Sequence, residues 1–376
     1  MLRHYDQHRG GVRIYTHRLL QALFELDSGH EFVLLYRSPD LIGTYAGVPG
    51  VAEVALPARS VLGWDQLAVP RAVRRYGIEL LFNPKYSIPV RASCPAVWVC
   101  HGLDWYVMPW ASRRVDRLSH RFLVPRYAAR AAAIIAVSEI TRRHVMEFLP
   151  AAADRVFTVY SGVDDVFRRP VDPERARAVR ERYALPERFL LYAGAVYPPK
   201  NYTRLIRAYA RVGPARGVPL VVAGGENRFL SEHELEEPER LGIAGWVRRP
   251  GWMEQEELAV AYSLADALLL PSLFESCGLP IIEAMAAGCP VVTSDRYGTK
   301  ELARDAAVLV DPESVESIAA GIGAVLDDAA LRARLVAAGR ERSGEFRWSR
   351  CAAETLRVLE QVGPGRRATV APGTGR

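Results

Sequence analysis

The chain has 376 residues, which is enough for two hydrophobic cores, and its apolar fraction of 49% is that of a folded globular protein. No apolar run reaches the roughly 20 residues that a membrane-spanning helix needs, and the first residues lack the apolar core of a secretion signal. The five cysteines are scattered and include no CxxC pair, so we expect reduced thiols in a cytoplasmic protein, without disulfides or metal sites.

Six short runs rich in valine, leucine and isoleucine predict strands in the first half, with helical patterns between them. They are EFVLLYR, AEVAL, IELLFNP, AVWVCHG, AAIIAVSE and RVFTVYSG. Near-continuous apolar strands that alternate with helices indicate a parallel sheet covered on both faces. MLRHY, at the start, reads as the remnant of a first strand, which would mean that part of that strand precedes the chain.

Three motifs in this half follow predicted strands or open predicted helices. RGGVRIYTHRLLQAL places Gly10 and Gly11 in a turn before a helix, which suits either a ligand loop or a simple helix start. His101 follows a strand in VCHGLDWY and is either a site residue or a structural histidine. Ser138 in AVSEITRR is either a site residue or the cap of a helix beginning at Thr141.

The net charge of +6 is carried by arginine, because the chain contains only three lysines. Residues 111–133 are the nearest candidate for a basic binding face, but they predict a pair of amphipathic surface helices with solvated arginines. The alternative is that they bind an anionic membrane surface or a phosphate-bearing acceptor. The chain lacks a basic stripe with interleaved aromatic residues, so we expect no nucleic acid partner.

The same alternation returns in the second half, after a charged, proline-containing break at about residues 165–185. The predicted strands are RFLLYAGA, VPLVVAGG, WVRRPGW, ADALLLPS, PVVTSD and AAVLVD. We therefore predict an α/β fold with two doubly wound, Rossmann-like domains facing a central cleft. The domains are placed at residues 1–168 and 169–345, followed by a helix at 346–362 that packs back on the first domain and a disordered tail at 363–376. Asp164 and Asp165 are expected to cap a turn and not to hold a metal.

Two strand ends of the second half carry residues suited to phosphate. AGAVYPPKN places Lys200 after a strand and at a helix start, where a compact ammonium suits a phosphate, although a lone lysine there is usually solvated. AGGEN places Gly224 and Gly225 after the next strand, which is equally typical of a phosphate loop and of an ordinary turn.

The stretch PSLFESCGLPIIEAMAAGCPVV contains the most informative pair, Glu275 and Glu283. Proline is tolerated at a helix start and not inside it, so a helix should open near Pro280 with Glu283 in its first turn. The helix start offers free N–H groups to a phosphate. The two glutamates beside the helix start can accept hydrogen bonds from hydroxyl groups on either side of that phosphate. A phosphate with hydroxyl groups on both sides is the pattern of a sugar nucleotide.

In this order, the motifs resemble those of the retaining glycosyltransferases of family 4, which have the two-domain GT-B fold. FESCGLPIIEAMAAGCPVV resembles the family signature, and YGTKELARDAAVLVDP the stretch that follows it. VYSGVDDVF, AVWVCHGLDWYVMP and RAAAIIAVSEITRRHV are similar to further family segments. Four positions depart from the family pattern: Ser161 replaces an asparagine, Gly102 an aspartate and Cys277 an aromatic residue, and Ala195 stands where an arginine is common.

The resemblance implies a role for each matching position. Glu283 would hold the ribose, Glu275 a hydroxyl of the transferred sugar, Lys200 the leaving diphosphate, and the backbone near Trp252 the base. His101, Lys200 and Glu275 are the expected catalytic residues, with Lys85 and Asp104 expected on the acceptor. The expected donor-binding residues are Gly10, Gly11, Ser138, Gly194, Lys200, Gly224, Trp252, Glu275, Ser276, Cys277, Gly278, Leu279 and Glu283.

The resemblance thus implies a retaining, metal-independent transferase in polysaccharide biosynthesis that needs no cofactor. It would move a hexose, such as mannose or glucose, from a nucleotide diphosphate sugar to a hydroxyl of a cell-surface glycan, a lipid-linked acceptor or a small molecule. The alternatives are a sugar-nucleotide 2-epimerase and a non-catalytic sugar-nucleotide-binding protein. We expect a cytoplasmic protein, either free or held peripherally at the inner membrane face through its N-terminal domain.

Overall fold

The computed structural model describes residues 1–6, 10–225 and 232–364. Each predicted strand is present, and all the strands pair in parallel. The strands are β1 (Phe32–Tyr36), β2 (Val51–Ala55), β3 (Leu81–Asn83), β4 (Ala96–Cys100), β5 (Ala133–Ala136), β6 (Val156–Thr158), β7 (Leu190–Ala193), β8 (Leu220–Ala223), β9 (Val247–Gly251), β10 (Ala267–Leu270), β11 (Val291–Ser294) and β12 (Val308–Val310).

Helices cover both faces of these sheets. They are α1 (Gly11–Phe24), α2 (Val61–Gly63), α3 (Val69–Arg75), α4 (Asp104–Val107), α5 (Arg114–Arg130), α6 (Glu139–Phe148), α7 (Pro173–Tyr183), α8 (Tyr202–Val212), α9 (Glu232–Leu235), α10 (Glu237–Arg240), α11 (Gln255–Leu264), α12 (Leu279–Ala286), α13 (Tyr297–Ala303), α14 (Val315–Asp327), α15 (Ala329–Ser343) and α16 (Trp348–Val362). The predicted α/β class with two Rossmann-like domains is confirmed.

The N-terminal domain contains the pair β1–β2 and a second sheet in the order β3-β4-β5-β6. Only the first two residues of the predicted remnant strand run beside these sheets: Leu2 N–H donates to Leu35 O at 2.8 Å, and the nitrogen of Met1 donates to Phe82 O at 2.7 Å. Arg3–Asp6 is a 3-10 helix instead, because it turns Tyr5 into a buried cluster of tyrosines.

The C-terminal domain contains one sheet of six strands in the order β12-β11-β10-β7-β8-β9. The chain starts at β7, moves outward to β9 and then returns to lay β10 on the other side of β7. The strand order therefore reverses between β7 and β10. In doubly wound sheets, ligands bind outside the carboxyl ends of the strands at this reversal.

Three predicted helix positions were wrong in detail. Residues 111–133 contain one long helix, α5, and not a pair, because Pro125 is accommodated inside it. Helix α6 begins at Glu139, before Thr141, since the Ser138 hydroxyl accepts the Thr141 N–H and caps the helix. Helix α12 begins at Leu279, so Glu283 lies at the start of its second turn and not in the first. The predicted cap at Asp164 is confirmed, because its carboxylate accepts the Val166 N–H at 3.0 Å.

The two domains have separate cores, and the last helix returns to the first. Val163 and Phe167, just before the predicted boundary, pack in the C-terminal core. Cys351 and Val358 of α16 pack with α1 side chains such as Leu19 in the N-terminal domain. The predicted disordered tail lies outside the described residues, apart from its first two positions. Within residues 1–6, 10–225 and 232–364, every helix is too short or too polar to span a bilayer.

Candidate active site

Lys200 lies at the carboxyl end of β7, at the reversal of strand order. After β7 the chain passes Gly194 and forms a short 3-10 turn, Pro198–Lys200. Helix α8 then starts at Tyr202. The aliphatic part of the Lys200 side chain lies over the end of β7, where a β-carbon built on Gly194 would be 3.9 Å from Lys200 Cε. The side chain is only 8% exposed, so its charge faces the protein and not open solvent.

Glu275 follows β10 and pairs with Lys200 across the reversal. The Lys200 ammonium donates to Glu275 Oε1, and the Ser272 hydroxyl donates to the same oxygen at 3.0 Å. Burial alone would lower the pKa of Lys200, but the Glu275 carboxylate beside it raises that pKa above the usual lysine value. The site therefore holds a fixed ammonium cation that stays charged at neutral pH.

Helix α12 starts directly after this loop and points its free N–H groups toward the same end of the sheet. Gly278 begins the helix with a φ of +75°, which a side chain would strain. Among the residues that the structure describes, no side chain caps the helix start, and the first turn contains no acidic residue. An uncapped helix N-terminus favours an anionic ligand.

Glu283 is buried one turn further along α12. It is 8% exposed and accepts a hydrogen bond from the Tyr262 hydroxyl at 3.3 Å. Burial raises its pKa to about 7, although the Tyr262 hydrogen bond and the Lys200 charge act in the opposite direction. Near neutral pH this carboxyl is therefore divided between its charged and neutral forms.

His101 lies past the end of β4 in the N-terminal domain. Its Nε2 lies 2.7 Å from Pro84 O, and because a carbonyl only accepts, this nitrogen holds the ring proton. Burial lowers the pKa of His101 to about 4, so the ring is neutral in the physiological range. The ring also stands edge-on to Tyr15, with centroids 4.7 Å apart.

Lys85 and Asp104 lie on the segments next to His101. Burial lowers the pKa of Lys85 to about 8, with a further decrease from Arg3 and an opposing effect of Asp104. Burial raises the pKa of Asp104, against the effect of its hydrogen bonds and of nearby cations. The two side chains thus supply a partly buried cation and a partly buried acid on the N-terminal side of the cleft.

The loop that carries Glu275 also contacts the N-terminal domain. The Ser138 hydroxyl donates to Ser276 O, and a β-carbon on Gly102 would lie 2.0 Å from Ser276 Oγ. Gly102 also has a φ of +136°, so glycine is required there both for the backbone and for the approach. The structure therefore brings the strand ends of β4 and β5 against the residue that follows Glu275.

Three other predicted donor-binding residues lie on elements other than β10 and the turn of Lys200. Trp252 follows β9, two strands away from β7, and its indole N–H donates to Glu254 at 2.9 Å. Gly224 packs closely on Gly194, where a β-carbon would lie 2.0 Å from the Gly194 carbonyl oxygen. Gly11 starts α1, and no atom of the described residues lies within 4 Å of a β-carbon built on it.

Two residues of the site were missed by the sequence analysis. Ser272 holds Glu275, and its position directly after a predicted strand was a usable signal. Tyr262 holds Glu283 from α11, but it lies in an ordinary amphipathic helix pattern far upstream, so no signal in the sequence identifies it.

Two family models match consecutive halves of the chain. The model for Glycosyltransferase Family 4 matches residues 9–167, and the model for glycosyl transferases group 1 matches residues 177–342. The chain belongs to the family 4 glycosyltransferases. The matched halves correspond to the two observed domains, and the fold of this glycosyltransferase is GT-B, as the resemblance implied.

Three comparisons place this glycosyltransferase among known proteins. It is 28% identical to O-antigen chain mannosyltransferase B of Escherichia coli over 77% of this chain and 76% of that protein. It is 29% identical to the serotype-specific mannosyltransferase WbdA of Escherichia coli over 59% of this chain, and it spans only 28% of that longer protein. The crystal structure of Anabaena HepE in complex with UDP-glucose is similar with a TM-score of 0.71, at 18% identity and over 94% of this chain and 96% of that one.

Proposed function

We propose that this glycosyltransferase moves a hexose, with mannose as the first candidate, from a nucleoside diphosphate sugar to a hydroxyl acceptor, and that it retains the anomeric configuration. The observation that carries the proposal is the Lys200–Glu275 pair at the reversal of strand order, beside the uncapped start of α12. The similarity to two mannosyltransferases supports mannose, and the similarity to a UDP-glucose complex supports the donor class.

Donor binding exchanges the partners of Lys200. The diphosphate attracts the ammonium away from Glu275, and the start of α12 contributes backbone N–H groups and the positive end of the helix dipole. Glu275, once released from the ammonium, accepts a hydrogen bond from a hydroxyl of the sugar. Glu283 accepts hydrogen bonds from the ribose at the other end of the diphosphate.

The chemical step breaks the bond between the anomeric carbon and the diphosphate oxygen. The electron pair of that bond stays on the diphosphate, where Lys200 and the start of α12 stabilise the added charge. The acceptor oxygen forms the new bond on the face that the diphosphate leaves, and its proton passes to the departing phosphate. Neutral His101 lines the sugar pocket from the other domain and is too weak an acid to give up a proton there.

The charge of the leaving group is neutralised in this proposal by protein groups, so no metal and no cofactor is needed. The uncapped start of α12 and the buried Lys200 support this proposal, because both can stabilise the charge that a divalent cation stabilises in metal-dependent transferases. An excess of chelator should therefore leave the initial rate of transfer unchanged, whereas a metal-dependent transferase would lose it.

A panel of nucleoside diphosphate sugars with mannose or glucose tests the donor. A bound donor raises the melting temperature by mass action, and the same donor should release nucleoside diphosphate when an acceptor is added. The product linkage, read by NMR, should have the anomeric configuration of the donor. A 2-epimerase would instead convert the donor alone into its epimer, and a non-catalytic binding protein would show the thermal shift without turnover on any acceptor.

The acceptor is expected at the N-terminal domain, where Lys85 and Asp104 flank the segment of His101. A lysine with a lowered pKa and an acid with a raised pKa offer both a donor and an acceptor of hydrogen bonds to a hydroxyl-rich ligand. Exchanging Lys85 for methionine should raise the KM for the acceptor and leave donor affinity unchanged.

Helix α5 supports a peripheral membrane position for this domain. Val115, Leu118 and Phe122 form a solvent-facing ridge, termed the α5 ridge, with side chains that are 77%, 65% and 60% exposed. The opposite face of the helix buries Val124 and Tyr127 in the core. Apolar side chains at three- and four-residue spacing that point away from a core are typical of interfacial helices.

Positive charge borders the α5 ridge and favours an anionic lipid surface as its partner. Arg114 and Arg121 lie on one side, and the Arg126 guanidinium lies 3.6 Å from the ring centroid of Phe122. Asp116 is the only acid in residues 111–133. Basic residues near an anionic bilayer contribute about 1 kcal/mol each, and a second copy of this surface would repel the first.

Co-sedimentation with vesicles tests this position. We expect binding to vesicles that contain phosphatidylglycerol, weaker binding at high salt, and little binding to pure phosphatidylcholine. The double exchange Arg114→Ser with Arg121→Ser should reduce binding several-fold, whereas Arg334→Ser with Arg357→Ser, which removes the same charge from exposed positions elsewhere, should not. Equal losses in both double variants would contradict a specific surface.

A further inference from the structure

Helix α6 of the N-terminal domain binds a carboxylate from the other domain at its N-terminus. The first two backbone N–H groups of this helix, those of Glu139 and Ile140, donate to the two oxygens of Glu301 at 2.6 and 2.8 Å. The third N–H donates to the capping Ser138. Glu301 lies in α13 of the C-terminal domain. A helix N-terminus favours a negative charge, so this contact is charge-assisted as well as bidentate.

Further contacts fix Glu301 within its own surroundings. The Tyr160 hydroxyl, on the segment after β6, donates to Glu301 Oε1 at 2.7 Å. The buried Arg342 of α15 donates to the carbonyl oxygens of Glu301 and Leu302 at 3.1 and 2.8 Å, which anchors the end of α13 to the C-terminal domain. Glu301 is therefore a rigid connection between α13 and α6.

The other end of α13 holds the loop that carries Glu275. The Gly298 N–H donates to Glu275 O at 2.9 Å. A β-carbon on Gly298 would lie 2.5 Å from Ser276 O, so the helix and the loop are in direct backbone contact. One short helix thus contacts the site loop at its first turn and docks on the N-terminal domain at its second.

We infer that Glu301 is a positioning residue for transfer: by docking α13 on the start of α6, it sets the distance between the N-terminal domain and the Glu275 loop. The inference rests on the proposed function, because it assigns the donor to the C-terminal domain and the acceptor to the N-terminal one. Glu301 contacts neither substrate in this account. It acts through Glu275 and Ser276, because their backbone is in direct contact with α13 and would move with it.

The variant Glu301→Gln tests the charge and the geometry together. One oxygen of the carboxylate becomes an NH₂ group that faces a backbone N–H or the Tyr160 hydroxyl, so at least one charge-assisted hydrogen bond is lost. We expect kcat to fall by about ten- to a hundredfold, with the donor dissociation constant unchanged.

Tyr160→Phe removes one hydrogen bond to Glu301 Oε1 and should lower kcat by about tenfold or less. Glu341→Gln, an exposed glutamate on α15, is the matched control and should retain the wild-type kcat.

Small-angle X-ray scattering without substrate separates this inference from the proposed function. Glu301→Gln should have a larger radius of gyration than the wild type and the Glu341→Gln control, whether or not the correct donor is known. A wild-type kcat and radius of gyration in both Glu301→Gln and Tyr160→Phe would overturn the inference. A loss of donor affinity in parallel with kcat would also overturn it, because it would indicate general damage to the C-terminal domain.

Discussion

The ammonium of Lys200 and the carboxylate of Glu275 pair across the point where the six-stranded sheet reverses its strand order. Each residue follows one of the two strands that flank the reversal, β7 and β10, and both are nearly buried. The proposed donor must separate this pair in order to use the ammonium. The pairing therefore keeps Lys200 charged. It also sets the energy of separating the two side chains, which donor binding has to offset.

Exchanging Glu275 for glutamine should change the pH profile of the enzyme. Burial lowers the pKa of Lys200 and Glu275 raises it, so the variant should have a lower Lys200 pKa than the wild type. The raised pKa of Lys200 stabilises the folded protein at every pH below the usual lysine pKa. This contribution is lost as the pH rises through the Lys200 pKa of the folded protein. In the variant, kcat/KM should consequently fall at a lower alkaline pH than in the wild type. Glu316→Gln, an exposed glutamate paired with Arg211, is the control, and an identical alkaline limb in all three proteins would refute the coupling.

The affinity for the donor should depend on the protonation of Glu283. Because burial raises this pKa to about 7, the folded protein holds a proton that the unfolded chain has already released. The charged form, which accepts ribose hydroxyls best, predominates only above about pH 7. We expect donor kcat/KM to decrease as the pH falls through this value, and Glu283→Gln to abolish that dependence.

Tyr262 offers a second way to move the same titration. Its hydrogen bond lowers the pKa of Glu283, so Tyr262→Phe should raise that pKa and shift the acid limb of donor kcat/KM to higher pH. Tyr209→Phe is a matched control, since Tyr209 is equally buried but donates to Val218 O instead. A shift of the limb in the control, or none in Tyr262→Phe, would show that Glu283 is not the titrating group.

The exchange Gly298→Ala should displace the Glu275 loop. The backbone of Gly298 itself has a conformation that alanine can adopt. The new β-carbon would lie 2.5 Å from the backbone oxygen of Ser276. The backbone of α13 and that of the Glu275 loop cannot move aside as a flexible side chain could. We expect a decrease of about tenfold or more in kcat/KM and a loss of about 1–3 kcal/mol in the free energy of unfolding. Gly245→Ala is the control: within the described part of the chain no atom lies within 4 Å of its β-carbon, so it should behave as the wild type in the same two measurements.

Much of the fold follows from the sequence because it depends on local pattern. The apolar runs predicted each strand, since a strand buried on both faces needs apolar side chains at successive positions. Helix starts were less accurate: Gly278 begins α12 in a left-handed conformation, and this moved Glu283 out of the first turn. The contribution of Val163 and Phe167 to the second core could not be predicted either, because they come from a segment without periodicity.

The candidate site was only partly predictable. Glu275 and Lys200 could be named because each follows a strand end, where parallel sheets gather their ligands. Their direct pairing could not, since it depends on which strands become neighbours in the sheet. Tyr262 and Glu301 act through contacts with residues distant in the chain. Tyr262 lies in none of the quoted motifs, and the motif YGTKELARDAAVLVDP contains Glu301 but does not reveal its partners on α6.

The initial rate of nucleoside diphosphate release by Lys200→Ala tests the central claim most directly. If the Lys200 ammonium stabilises the departing diphosphate, this rate should fall by about a hundred- to a thousandfold, with the circular dichroism spectrum retained. Lys300→Ala, which removes an exposed lysine from α13, should release nucleoside diphosphate at the wild-type rate. A Lys200→Ala variant as active as Lys300→Ala would contradict the account, because the diphosphate would then lie elsewhere or be stabilised by other groups.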